Sequence, residues 1–152
     1  MPEHRDNAYE LETKDEQSEA LVRRLLIQIK TGGRKNAGTD ANVTFRMGNL
    51  KLSLDSLGDV AKDRFECGNT NTFIYQINQE VDGYFTLQDA RDCIMELCHD
   101  NTGNKPGWYV ESVLLQLCFD PNSVNFINYK KWEKVGWLAL DEKPNSTSVV
   151  LQ

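Results

Sequence analysis

WYVESVLLQLCF, residues 108–119, is the longest strand-like run in the chain. Tyr109, Val113, Leu115 and Leu117 occupy positions of the same parity, and side chains two residues apart in a strand point to the same face of a sheet. We therefore expect these four side chains to share one face of a long strand. The run is shorter than a membrane-spanning segment, which needs about 18 or more apolar residues.

Shorter runs of the same kind lie on both sides of it. Only residues 20–26 show a marginal helical pattern, and the run 93–98 is so continuously apolar that we expect burial on both faces. Many short strands separated by turn signals are typical of a β-sandwich or barrel. The predicted strands are residues 25–31, 43–47, 50–54, 64–67, 72–77, 84–88, 93–98, 108–119, 124–127, 135–140 and 149–151.

The charge of the chain is concentrated near its beginning. Residues 1–20 hold two basic and seven acidic side chains, a net of −5, so the remaining 132 residues carry only −1 of the total of −6. We expect residues 1–20 to form an acidic disordered arm and residues 21–152 to form one domain. Nucleic acid as a partner is disfavoured, because phosphate binding needs clustered Lys and Arg. The first residues lack an apolar segment, so no signal peptide is predicted, and the compartment stays open.

The four cysteines are Cys67, Cys93, Cys98 and Cys118. An even number permits two disulfides in an oxidising compartment. Three of them lie in apolar runs, however, and free cysteine is often buried as a small apolar residue. We favour reduced, mostly buried thiols, with the disulfide state left open.

Four motifs in a fixed order carry a likeness to a known family. They are residues 30–32 with 37–43, residues 63–73, the turn His99-Asp100-Asn101 with the tryptophan run that starts at Pro106, and residues 137–141. Together they resemble the PLAT (lipoxygenase-homology) domain, and the chain is similar to the small stand-alone PLAT proteins of plants. The resemblance implies an all-β, antiparallel β-sandwich of two four-stranded sheets. It also implies a non-catalytic module that attaches to a membrane lipid surface or a protein partner, often with calcium, and that is stress-associated.

Calcium, the cofactor that the resemblance implies, takes six to eight oxygen ligands. Asp40 and Asn42 in one loop, and Asp100 and Asn101 in another, supply such oxygens, and the resemblance implies that the two loops are neighbours. The alternative is that Asp40 and Asp100 are turn formers whose carboxylates bond local backbone.

Attachment to a membrane needs exposed apolar tips or a basic patch. The tips here carry Arg34, Lys35 and Lys105 rather than tryptophan, which favours weak electrostatic contact over insertion and predicts a peripheral association. Trp132 lies beside two lysines and is the tryptophan that we expect to be exposed for contact, whereas the other two are expected in the core or at a sheet edge.

A small enzyme that uses an unrecognised pocket is the alternative function. Cys98 and His99 have the residue types of a nucleophile and its base, but neighbours on a strand point to opposite faces. We expect His99 to bond the backbone of its own turn. The sequence contains no phosphate-binding glycine loop, serine elbow or HExxH motif.

Overall fold

The computed structural model describes residues 18–57 and 64–152. Two antiparallel four-stranded sheets, in the strand orders β4-β1-β6-β7 and β3-β2-β5-β8, enclose one apolar core, which confirms the predicted sandwich. No helix in these two ranges is long and apolar enough to cross a membrane. The strands are β1 (Arg24–Thr31), β2 (Val43–Met47), β3 (Leu50–Ser53), β4 (Thr70–Gln76), β5 (Met95–His99), β6 (Trp108–Cys118), β7 (Ile127–Leu138) and β8 (Ser148–Leu151).

The core lies between the inner faces of the two sheets. Trp108 is fully buried, its ring contacts Phe65 at 4.8 Å between centroids, and its Nε1 donates to Thr31 Oγ1 at 3.0 Å. The indole therefore packs its ring in the core and still satisfies its one polar group, as a buried tryptophan requires. The prediction that Trp108 is a core residue is confirmed.

A β-bulge changes which face of β6 points inward. Trp108 and Val110 are buried, and so are Val113, Leu115 and Leu117, because the pairing of β6 with β1 slips: Lys30 pairs with Ser112 but Thr31 pairs with Val110, which leaves one extra residue in β6. An extra residue in one strand shifts the alternation of its side chains by one position. The prediction that Tyr109 shares a face with Val113 is therefore wrong, and Tyr109 lies half-buried on the outer side.

Several other strand predictions are wrong for local reasons. Residues 64–67 form a turn, and the two expected strands 124–127 and 135–140 contribute to one long strand, β7. The run 93–98 alternates instead of being buried on both faces, because Met95 and Leu97 face the core while Ile94 is 71% exposed.

The expected strand 84–88 instead leads into a helix. Two short helices, α1 (Gln79–Asp82) and α2 (Leu87–Asp92), follow β4. Thr86 caps α2, since its side chain accepts from the Asp89 N–H while the Asp89 carboxylate accepts from the Thr86 N–H. This capping box has a sequence signature, Thr86 with an acid three residues later, that could have indicated the helix.

The folded part of the chain begins no later than Ser18. Its carbonyl accepts from the Gln88 N–H at 2.8 Å, its hydroxyl accepts from Arg91, and the Ala20 carbonyl accepts from the Leu87 N–H at 2.9 Å. Residues 18–20 therefore pack against α2 and do not belong to a disordered arm. The rest of the predicted arm, residues 1–17, lies outside the described residues.

All four cysteines are free thiols. Cys118 is buried, and burial raises the pKa of both half-buried thiols, Cys93 and Cys98. Cys67, in contrast, is exposed in a turn, where its Sγ donates to the Arg34 carbonyl at 3.2 Å. The expectation of mostly buried thiols is therefore wrong for Cys67.

Candidate functional site

Three loops, β1–β2, β5–β6 and β7–β8, meet at one end of the sandwich, because β1, β5 and β7 end there and β2, β6 and β8 begin there. A cleft of about 490 Å³ opens among these loops, and we call it the loop-end cleft. Its lining is Asn36, Asn101, Asn104, Lys105, Pro106, Gly107, Trp137, Leu140, Asp141 and Glu142. The cleft thus combines amide and carboxylate oxygens, one ammonium group and an aromatic wall.

The aromatic wall is the end of a row of three side chains. Trp137 meets the Tyr109 ring edge-on at 5.2 Å between centroids, and the Arg34 guanidinium lies over the Tyr109 ring at 4.0 Å. Gly32 makes room for this row, since a Cβ there would lie 2.5 Å from the Tyr109 ring. The stacking holds the Arg34 cation in place beside the cleft and leaves the side chain exposed.

Asp100 acts as a tether between two loops. Its Oδ1 accepts from the backbone N–H groups of Asn42 and Thr102 and from the Thr102 hydroxyl, and its Oδ2 accepts from the Asn42 amide at 2.9 Å. The hydrogen bond from Thr102 is the largest cause and the one from Asn42 the next, and they hold the pKa of the Asp100 carboxyl well below its usual range. Both carboxylate oxygens are therefore engaged within the protein, as in the turn-forming alternative.

The other predicted calcium ligands lie in the same two loops as Asp100. The two loops are neighbours, since the Asp40 N–H donates to the Lys105 carbonyl at 3.4 Å and a Cβ on Gly103 would lie 2.8 Å from Asp40 Cβ. Asn42 is bonded to Asp100, whereas Asn101 lines the loop-end cleft. The structure thus brings the four residues to one end of the sandwich, with Asn42 and Asp100 in the tether, Asn101 at the cleft and Asp40 exposed beside Gly103.

Asp141 and Glu142 are the cleft residues that sequence reasoning missed. Both are exposed and line the same loop-end cleft as the asparagines, and no hydrogen bond or ion pair joins their carboxylates to a described residue. Asp141 ends the closing motif 137–141, and that position was the available signal. Within residues 18–57 and 64–152, no group of three or more His, Cys, Asp or Glu is arranged to hold a metal, so a cation here would depend on amide and backbone oxygens as well.

The predicted membrane-contact residues differ in their exposure. Lys105 lines the cleft and Lys35 is exposed, as the sequence indicated. Trp132 is only 8% exposed and belongs to the core, so its prediction as an exposed contact is wrong. The reason is its register: Trp132 pairs with the buried Val113 and shares its inward face. Trp137 packs on Tyr109 in an edge strand of its sheet, as expected, and it also lines the cleft.

His99 supports the cleft without entering it. The ring is 5% exposed, Nδ1 accepts from the Asn101 N–H at 2.9 Å, and Nε2 lies 2.7 Å from the Leu138 carbonyl. Since Nδ1 is an acceptor, the proton sits on Nε2 and is donated to Leu138, which links the two sheets. His99 does bond its own turn as expected, while Cys98 lies on the opposite, outer face of β5.

A family model described as the PLAT/LH2 domain matches residues 25–136, from β1 into β7. The chain belongs to the PLAT/LH2 domain family. In this PLAT domain the matched region includes the tether and six of the ten cleft residues, while Trp137, Leu140, Asp141 and Glu142 follow it in the chain.

Similar proteins share the PLAT domain within much longer chains. Mouse lipoxygenase homology domain-containing protein 1 is 34% identical over 91 residues, which cover 57% of this chain and 4% of that protein. Mouse polycystin-1-like protein 3 is 29% identical over 120 residues, 76% of this chain and 5% of that protein. Coral 8R-lipoxygenase, whose structure is described as showing calcium activation via a C2-like domain, superposes with a TM-score of 0.55 at 22% identity, over 84% of this chain and 16% of that one. This last likeness shows the shared fold.

Proposed function

We propose that this PLAT domain attaches to an anionic lipid surface through the loop-end cleft, and that calcium bound in the cleft strengthens the attachment. The observation that carries the proposal is the composition of this one end. This end combines the free carboxylates of Asp141 and Glu142 with three asparagine amides. Lys105 lines the same cleft, and Leu140 is 57% exposed there.

The oxygen donors of the cleft fit a hard divalent cation. Calcium takes carboxylate, amide and backbone carbonyl oxygens together with water, and it tolerates irregular geometry. Asp141, Glu142 and the amide oxygens of Asn36 and Asn101 are the side chains that would hold it. A bound cation would also reverse the local charge of the two carboxylates, so that the same edge would attract lipid phosphate instead of repelling it.

The remaining side chains of this end favour a shallow, electrostatic contact. Arg34, Lys35 and Lys105 are exposed cations, and each contributes about 1 kcal/mol near an anionic surface. Trp137 is half-buried against Tyr109, so its indole is not free to insert. Leu140 is the large apolar side chain exposed at the cleft, and one such side chain adds only a limited apolar contact.

Calcium titration followed by vesicle flotation tests the proposal. Calcium should raise the melting temperature, and it should increase binding to phosphatidylserine vesicles. The binding to vesicles should weaken as salt rises. The double variant Asp141→Asn/Glu142→Gln should lose both effects. The control Asp92→Asn, at the opposite end, should keep both.

Two results would count against the proposal. Binding to neutral vesicles at high salt would indicate an apolar contact that the loop end does not display. Failure to bind any vesicle, with or without calcium, would favour the protein partner that the sequence left open. The stress association implied by the likeness to plant PLAT proteins stays a prediction.

The alternative of a small enzyme lacks a supporting observation. His99 is the histidine of the described ranges, and both its ring nitrogens are bonded inside the protein. The loop-end cleft is lined by no histidine, cysteine or serine, so its described side chains do not assemble a nucleophile with a base.

A further inference from the structure

Within residues 18–57 and 64–152, the most exposed large apolar side chains lie at the end of the sandwich opposite the loop-end cleft. Val81, Tyr84, Ile94 and Val124 are 79%, 72%, 71% and 80% exposed, respectively. All four belong to connections at the far end, where β4 and β6 finish and β5 and β7 start. Singly exposed apolar residues are ordinary, but one of the four, Tyr84, lines a groove.

Three elements form a groove at this end, which we call the far-end groove. It has a volume of about 390 Å³ and lies between the β2–β3 turn and the two short helices. Leu50 and Phe85 are almost fully buried and form an apolar floor, while Tyr84 stands exposed at the edge. Its lining is Gly48, Asn49, Leu50, Asp82, Tyr84, Phe85, Asp89, Asp92 and Cys93.

The rim of the groove carries charge of one sign. Asp82, Asp89 and Asp92 belong to its lining, which includes no Lys, Arg or His. Of the nearby cations, Arg91 donates to Ser18, and Lys51 lies on the outer face of its sheet, where its charge acts on Cys98.

Neutral donors hold these carboxylates in place. Asp82 Oδ2 accepts from the Tyr75 hydroxyl and the Asn78 N–H, Asp89 Oδ2 accepts from the Thr86 N–H, and Asp92 Oδ1 accepts from the Gln88 amide. These bonds fix one oxygen of each carboxylate and leave its negative charge uncompensated. No ion pair within residues 18–57 and 64–152 involves any of the three.

We propose that the far-end groove binds a cationic segment of a protein partner, with an apolar side chain of that segment against Tyr84 and Phe85 and with its Lys or Arg side chains on Asp82, Asp89 and Asp92. An aromatic edge beside an apolar floor is the kind of site that anchors a peptide side chain. Fixed carboxylates around that anchor select a positively charged sequence through charge complementarity. An anionic lipid surface would be repelled by the same carboxylates.

The proposal goes beyond attachment through the loop-end cleft, because the two surfaces lie at opposite ends of the sandwich. A domain held at a lipid surface by its loops would present the far-end groove away from that surface. The protein would then connect a surface at one end to a cationic protein segment at the other.

Fluorescence anisotropy with two synthetic peptides tests the proposal. The first peptide alternates Lys or Arg with Leu or Phe, and the second has Glu at each cationic position. The full chain should bind the first peptide, more weakly as salt rises, and should not bind the second. In Tyr84→Ser/Asp92→Asn the dissociation constant should rise by about tenfold or more.

A matched variant at the other end, Leu140→Ser/Asp141→Asn, controls for loss of one apolar side chain and one carboxylate. It should bind the cationic peptide like the wild type, and both variants should melt like the wild type because the changed side chains are exposed. Equal loss in the two variants, no loss in the far-end variant, or no binding of the cationic peptide would each overturn the proposal. Self-association abolished by Tyr84→Ser would also overturn it, because the occupant would be a second copy of the chain. No vesicle or calcium is used, so the result is independent of the proposed function.

Discussion

Asp100 and Asn42 are joined by two hydrogen bonds that close one loop of the PLAT domain onto another. The Asn42 backbone N–H donates to Asp100 Oδ1 at 3.1 Å, and the Asn42 side-chain amide donates to Oδ2 at 2.9 Å. The pair lies beside the loop-end cleft, whose lining includes the next residue, Asn101. The acid at the tip of this loop thus has a positioning role that does not require a metal.

Asp100→Ala should destabilise the protein in the absence of calcium. It removes the acceptor for four hydrogen bonds, and for an exposed carboxylate we expect a loss of about 1 kcal/mol in the free energy of unfolding. Urea denaturation measures it. Asp40→Ala is the matched control, since no described residue bonds the Asp40 side chain, and it should change stability little. An equal loss in both variants would contradict the tether.

The Asp100 tether also predicts a pH dependence. Because the pKa of Asp100 is lowered in the folded state, its contribution is present above the unfolded pKa of about 4 and is lost as the pH falls through the folded pKa. The stability difference between wild type and Asp100→Asn should therefore shrink in acid. Denaturation curves at neutral pH and below pH about 4 measure this. A difference that stays constant would show that the charge of Asp100 is not involved.

Tyr75 should make the protein sensitive to alkali. Burial, and then the hydrogen bond to Asp82, raise the pKa of Tyr75 to about 12. A raised folded pKa stabilises the protein fully below the unfolded value of about 10, and this contribution is lost as the pH rises towards the folded value. Tyr75→Phe should not lose stability from this titration, because it has no hydroxyl to ionise. Its stability should be compared with that of the wild type between pH 9 and pH 12, about the range of the titration, and parallel curves would contradict the assignment.

His99→Phe should cost about 2 kcal/mol, because it leaves the Leu138 carbonyl and the Asn101 N–H without their buried partner. His99→Gln should lose less, since its amide can donate to Leu138. Chemical denaturation compares the two variants. Similar losses would indicate that packing of the ring, rather than its hydrogen bonds, holds the sheets together here.

Two truncations test whether the folded domain begins at residue 18 or at residue 21. Removing residues 1–20 should be more destabilising than removing residues 1–17, because only the longer truncation deletes the bonds from Leu87, Gln88 and Arg91 to residues 18 and 20. The difference should be about 1–2 kcal/mol, measured by thermal or urea unfolding. Equal stability of the two truncated proteins would place the boundary at Leu21, as composition alone suggests.

Much of the architecture could be predicted from local patterns. Residues 25–31, 43–47 and 72–77 alternate as half-buried strands must, and all three are strands or most of a strand in the structure. The ordered motifs indicated the family and therefore the two four-stranded sheets, which the structure and the family match confirm. The helix α2 was missed because its six residues are too few to show a helical period.

The sequence by itself determined most of the strands, because alternation and turn residues act between near neighbours in the chain. Its ordered motifs determined the family, and the resemblance implied which loops would come together. Only the tertiary structure decided which side chains face the cleft. The bulge of β6 turned Tyr109 outward, the pairing of Trp132 with Val113 turned Trp132 inward, and folding brought Asp141 and Glu142 to the same cleft as Asn101. A one-residue slip in pairing reverses the face of the side chains that follow it. The contacts that fix such a slip join residues far apart in the chain, so no local pattern reveals it.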